Sequence, residues 1–88
     1  MTYTVVVMRE ADGRYTAFAP ALDEVASFGD TLPEALQMVE EAIALYVETL
    51  RGQGWPVPDD QPHVTVDMTD VGEAYIYKLP IREAAAVA

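Results

Sequence analysis

Ser27-Phe28-Gly29-Asp30-Thr31-Leu32-Pro33-Glu34-Ala35-Leu36 decides the architecture, because an alternating strand stops there, the chain turns at glycine, and a capped amphipathic helix begins. Thr31 and Glu34 stand in the Ser/Thr-x-x-Glu/Gln relation of a capping box. Each side chain satisfies a backbone N–H left without a partner at the helix start, for about 1 kcal/mol. Pro33 falls in the first turn, where its missing N–H costs nothing. Asp30 and Glu34 add negative charge at the positive end of the helix dipole. Downstream, Ala35, Leu36, Val39, Ala42, Ile43, Tyr46, Val47 and Leu50 recur at steps of three and four, while Glu34, Gln37, Glu40, Glu41, Glu48 and Arg51 take the other side. This pattern predicts one long helix whose apolar stripe lies on a sheet. Gly52, Gly54, Pro56 and Pro58 end it.

Working outward, residues 3–9 are rich in β-branched side chains, 14–19 alternate, and Glu10-Ala11-Asp12-Gly13 between them reads as a hairpin loop. A third short strand, about 25–28, follows the turn-forming stretch Pro20-Ala21-Leu22-Asp23. Beyond the linker 58–62, residues 63–68 and 74–79 both read as strands around the turn Thr69-Asp70-Val71-Gly72, and a second hairpin is expected there. The segment 74–79 is the one expected to join the sheet, since Tyr75, Tyr77 and Leu79 need a surface to cover. The fold class is therefore α+β, in the order β-β-β-α-β. It comprises a three-stranded antiparallel sheet, one long amphipathic helix, and a C-terminal strand or hairpin. Residues 1–79 make this domain, and 80–88 read either as a short helix around Glu83-Ala84-Ala85-Ala86 or as a frayed tail.

In the first strand Tyr3, Val5 and Val7 point to one face and Val6 and Met8 to the other. One helix covers one face of a small sheet. The second face, with Met8 and Phe18, then needs the C-terminal segment, another subunit or a different protein, which predicts self-association. Ala17 and Ala19 leave room for close approach of the helix on its own side.

Eighty-eight residues make one domain with a small core. Half of them are apolar, so wholesale disorder is not expected. The absence of cysteine removes disulfides, thiolate catalysis and thiolate metal sites. No segment reaches the roughly 18 uninterrupted apolar residues of a membrane span. The N-terminus lacks the basic, apolar and small-residue parts of a signal peptide, so the reading is cytoplasmic. Fifteen acids against five bases give a net charge of -10, which repels phosphate and disfavours direct binding of DNA or RNA. Such charge either keeps a small protein soluble or draws a basic protein partner by long-range attraction. Composition alone leaves both readings open.

No catalytic, cofactor-binding or metal-ligating set emerges. Metal-dependent nuclease chemistry needs carboxylates converging on two Mg²⁺ ions about 4 Å apart, whereas Arg9, Thr16 and Ala26 occupy the strands and the acids sit on loops and caps. Asp30 is better explained by the helix start. His63, the only histidine, has no second imidazole at helical spacing. Asp67, Asp70 and Glu73 lack the glycine-centred loop of a calcium site and read as turn residues. Ser27 has no activating base nearby in sequence, and Gly29 makes a turn, not a phosphate loop. Trp55 is expected to cover the helix end.

With this order of elements, particular residues resemble the HicB-like antitoxin family over about 3–58. They are Tyr3-Thr4-Val5-Val6-Val7, then Glu10-Ala11-Asp12-Gly13 followed by Tyr15-Thr16-Ala17 and Pro20. Phe28-Gly29-Asp30-Thr31 with Glu34-Ala35 comes next, and Gly54-Trp55-Pro56-Val57-Pro58 last. The resemblance implies a partial ribonuclease-H-like domain, self-association as a dimer or tetramer, and binding that blocks a small basic HicA-type ribonuclease toxin. Fuller members of that family add a DNA-binding segment. Here only nine residues follow Leu79, with Arg82 their sole base, so operator binding by this chain alone is not expected.

A ribonuclease presents a basic surface to RNA, for which an acidic domain can compete. The first candidates for that contact are Glu10, Asp12, Asp23 and Glu24, which the hairpin reading gathers on loops at the strand ends. Taken singly, each is better explained as a solvated turn acid. Glu40, Glu41 and Glu48 on the outer helix face rank second. The leading expectation is a non-enzymatic antitoxin-like binding domain. Its alternative is a stand-alone regulatory or structural oligomer of the same fold without a toxin partner.

Overall fold

The β-branched run at the N-terminus forms β1 (Thr2–Arg9), which turns through Glu10 to Arg14 into β2 (Tyr15–Phe18) and then β3 (Ala26–Gly29). Helix α1 (Leu32–Gly52) and β4 (Glu73–Pro80) complete the order expected from the sequence. The computed structural model describes residues 1–23, 25–69 and 71–82. All three strand pairings are antiparallel, in one four-stranded sheet ordered β3-β2-β1-β4. The segment expected to join the sheet does so. β4 pairs with β1 over its whole length, from Thr2↔Pro80 to Arg9↔Glu73, whereas β2 pairs only with Val6 to Arg9.

Period-two alternation sorts β1 as its sequence requires. Tyr3, Val5 and Val7 join Ala17, Ala19, Leu22 and Val25 beneath Ala35, Val39, Ile43 and Val47 of α1. Each buried valine or isoleucine contributes roughly 1.5–3 kcal/mol of hydrophobic transfer. The helix rests mainly on β3 and β2 and only grazes β1. Gly29 explains how it comes so close. A Cβ there would lie 2.5 Å from the Ala35 nitrogen and 2.9 Å from its Cα. Gly29 belongs to β3, so close backbone approach accounts for it where the sequence suggested a turn.

Both helix ends close as written in the sequence. The Thr31 hydroxyl accepts from the Glu34 N–H at 3.2 Å, and Glu34 Oε1 accepts from the Asp30 N–H at 3.1 Å, one residue earlier than the usual capping box. At the other end Gly54 takes φ +72°, the Gly54 N–H donates to Arg51 O, and the Trp55 N–H donates to Leu50 O. These are the two bonds of a Schellman motif.

Residues 63–68 do not form the expected strand, and β4 has no hairpin partner before it. The alternation His63-Val64-Thr65-Val66-Asp67-Met68 fits a strand, and Val64 and Val66 are half-buried. A strand also needs a ladder. β1 is already flanked by β2 and β4, and where β2 is missing beside Thr4 a carboxylate takes its place. The chain instead turns through Asp67, whose Oδ1 accepts from the Thr69 N–H, and docks when the Gly72 N–H donates to Arg9 O. The helix proposed around Glu83 to Ala86 lies outside the described residues.

Candidate functional site

The rotation of α1 is set by the burial of Ala35, Val39, Ile43, Val47 and Leu50. At 3.6 residues per turn this sends Glu34, Glu41 and Glu48, spaced by seven, straight out from the sheet. Glu34 is held in the N-terminal cap, so Glu41 and Glu48 are the row's exposed carboxylates without a capping task. Beside them runs a second row of the same spacing, Met38 and Leu45, 44% and 65% exposed. Glu40 is half-buried and lines a shallow groove of about 340 Å³ with Gln37, Glu41, Ala44 and Arg82. Of the second-ranked acids, Glu41 and Glu48 thus share one elongated surface with Met38 and Leu45, and Glu40 stands on its flank.

The first-ranked acids do not form one cluster. Antiparallel hairpins put alternate loops at opposite ends of a sheet. Glu10 and Asp12 lie beyond the Arg9↔Tyr15 pair, whereas Asp23 lies beyond Phe18↔Ala26 at the other end. Glu24 lies outside the described residues. Asp12 has a local task, since its Oδ1 accepts from the Arg14 N–H at 3.0 Å inside a turn closed by Glu10 N–H to Arg14 O at 2.8 Å. Glu10 borders a depression of about 240 Å³ shared with Arg9 and Glu73. Asp23 is exposed.

One acid that sequence reasoning passed over is the best anchored. Asp60 receives the Thr4 N–H at 2.7 Å and the Thr4 hydroxyl at 2.8 Å, and Lys78 Nζ lies 3.7 Å away. Lys78 also donates to Thr4 Oγ1 at 2.7 Å. Burial pushes the Asp60 carboxyl up, but the Thr4 hydrogen bonds and the Lys78 ammonium outweigh it and hold the group below its ordinary range. Beside it, the Tyr3 hydroxyl donates to Pro58 O at 2.5 Å, and burial together with Asp59 and Asp60 raises its pKa. This triad is structural: it closes the ladder that β2 leaves unfinished.

Trp55 departs from expectation. Its backbone N–H caps the helix beside the left-handed Gly54, but the residue is 59% exposed. Met38 and Leu45 were also missed, although their spacing of seven beside the acid row was visible in the sequence. Ser27 is occupied by a hydrogen bond to Met38 O at 3.3 Å, and His63 is exposed. Among the described residues no three His, Asp or Glu side chains stand close enough to hold a metal ion. No helix among them is long and apolar enough to cross a membrane.

Among the described residues one helix sits off-centre on an antiparallel sheet and turns a mixed acidic and apolar face outward, which defines a small α+β domain. Residues 3–76 match the family described as the HicB-like antitoxin of bacterial toxin–antitoxin systems, and the chain belongs to that family. It is 48% identical over 58 residues to a UPF0150 protein of Synechocystis, covering 66% of this chain and 73% of that protein. In fold it is similar to the N-terminal domain of the Burkholderia pseudomallei antitoxin HicB, with TM-score 0.64 and 20% identity, covering 92% of this chain and all of that one. It is likewise similar to a chain of a HicA3 and HicB3 toxin–antitoxin complex, with TM-score 0.67 and 24% identity, over 93% of this chain and 99% of that one.

Proposed function

We propose that this chain is an antitoxin-type binding domain that neutralises a small basic HicA-type ribonuclease by occupying the surface with which that enzyme holds RNA. The observation that carries the reading is the outer face of α1, where Glu41 and Glu48 run beside Met38 and Leu45. Carboxylates supply attraction to a basic partner and its orientation, while desolvated apolar side chains supply affinity. Family membership supports the reading, and so does the likeness in fold to a chain of a complex named for its toxin and antitoxin. Glu40, Glu41 and Glu48 are the leading contact acids, with Glu10 next. Asp12, Asp23 and Glu24 follow as proposals of lower rank.

In this reading the chain performs no catalysis, binds no nucleic acid directly, works in the cytoplasm, associates with itself, and has a partial ribonuclease-H-like fold. The net charge of -10 supports the second point by repelling phosphate. The test is to purify the basic protein encoded by the neighbouring reading frame and measure its RNA cleavage as this chain is added. Stoichiometric suppression is expected. Unchanged cleavage, or no basic protein encoded there, would hand the assignment to a stand-alone regulatory or structural oligomer.

A further inference from the structure

The two edges of the sheet are guarded very differently. β3 is four residues long and lies under the helix start. β4 is eight residues long, and among the described residues no backbone hydrogen bond reaches its outer edge. Long unpaired edges invite strand addition and are usually blunted by an outward lysine, a proline or a bulge. Here Lys78, the one lysine on β4, is drawn over β1 to Thr4 and Asp60, and Pro80 stands at the extreme end. The rest of the strand is Glu73-Ala74-Tyr75-Ile76-Tyr77 and Leu79, with Ile76 56% exposed. Because α1 sits over β3 and β2, Tyr75, Tyr77 and Leu79 are only half-buried on the helix side.

Charge selects the occupant. A chain of net charge -10 repels its own copies except where acids are absent or balanced. β4 carries one acid, Glu73, and one base, Lys78, and is electrically neutral. A basic partner gains nothing from the strand's own charge, whereas a second copy meets no local like-charge excess there. Symmetry then sets the register. In an antiparallel pair about a two-fold axis perpendicular to the sheet, facing residues lie on the same face, so one residue must oppose itself. Centring on Tyr77 would place Pro80, which has no N–H, inside the ladder. Centring on Ile76 uses residues 73–79, opposes Tyr75 to Tyr77 of the other copy, and leaves Pro80 outside.

We propose that two copies pair through the outer edges of β4, antiparallel about an axis at Ile76, merging two four-stranded sheets into one. This deepens the self-association in the functional reading above and rests on that part of it, while the toxin contact on α1 stands apart. One strand pair with its flanking tyrosines is smaller than a standard stable interface, so the dimer is concentration-dependent.

Sedimentation equilibrium over a series up to the millimolar range is expected to show monomer passing to dimer. Ile76→Glu, which sets two carboxylates against each other, should weaken the dimer at least about tenfold and leave ribonuclease suppression intact. Phe28→Glu is the control, since Phe28 is 61% exposed on the same sheet face but on the opposite edge strand, and it should leave the dimer unchanged. The chain has no cysteine, so Ile76→Cys provides a reading independent of charge, and mild oxidation should link two copies where Phe28→Cys does not. A monomer at every concentration, a dimer indifferent to Ile76→Glu, or equal cross-linking from both cysteine variants would overturn the proposal. Loss of suppression by Glu41→Lys with the dimer intact would separate failure of the toxin contact from failure of this one.

Discussion

The two faces of α1 have opposite characters within one 21-residue helix. The inner face is continuous and apolar, with Ala35, Val39 and Ile43 fully buried, and it carries the fold. The outer face leaves Met38 and Leu45 in solvent beside Glu41 and Glu48, and none of these four serves the core. Fold stability accounts for the first face and says nothing of the second. A surface that mixes large exposed apolar groups with like charges is therefore where binding to another protein is sought.

That contrast breaks most sharply at its centre. Val39→Asp buries an unpaired carboxylate under the helix and should cost about 3 kcal/mol or more, seen as loss of a cooperative thermal transition. Gly29→Ala attacks the same contact from the strand side, and with its new methyl 2.5 Å from Ala35 N it should cost about 1–3 kcal/mol in urea unfolding.

Asp60→Asn is smaller, about 1 kcal/mol near neutral pH, and its signature is the pH dependence. Folding holds this carboxyl below its ordinary value of 3.8, so its contribution is complete above that value and is lost as pH falls through the lowered one. Stability of the wild type should therefore drop below about pH 4, and the Asn variant should lose less over that interval. Equal slopes for the two would show that the Thr4 contact is not coupled to folding. Smallest of all, Leu45→Ala should change stability by no more than about 0.5 kcal/mol. The same variant should weaken ribonuclease binding. A stability loss comparable to that of Gly29→Ala would erase the distinction between the faces.

What was legible in the sequence follows the range of each signal. The helix, its caps and the first hairpin are written in periodicities and turn residues a few positions apart, and the structure keeps all of them. β4 was legible because Tyr75, Tyr77 and Leu79 required cover. Residues 63–68 were not, since their alternation is a local fact while a vacant ladder beside β1 is a tertiary one. Asp60 was invisible for the same reason, being 56 positions from Thr4. Gly29 was marked as special but for the wrong cause, because a close approach to Ala35 leaves no trace in the local pattern. The grouping of Glu10 and Asp12 with Asp23 failed although the hairpin order itself implies that successive loops alternate ends. On the helix, Met38 and Leu45 could have been found by extending to the outer face the count used for the inner one.

The most direct measurement is the association rate with the basic HicA-type ribonuclease proposed as partner, followed by stopped flow against salt concentration for the wild type, for Glu41→Lys with Glu48→Lys, and for Asp23→Lys. Attraction through the helix acids implies a wild-type rate that falls steeply with salt. The paired reversal should lower that rate about tenfold or more at low salt and flatten its slope, with Asp23→Lys close to wild type. A paired reversal that associates as fast as the wild type, with the same salt slope, would contradict the account.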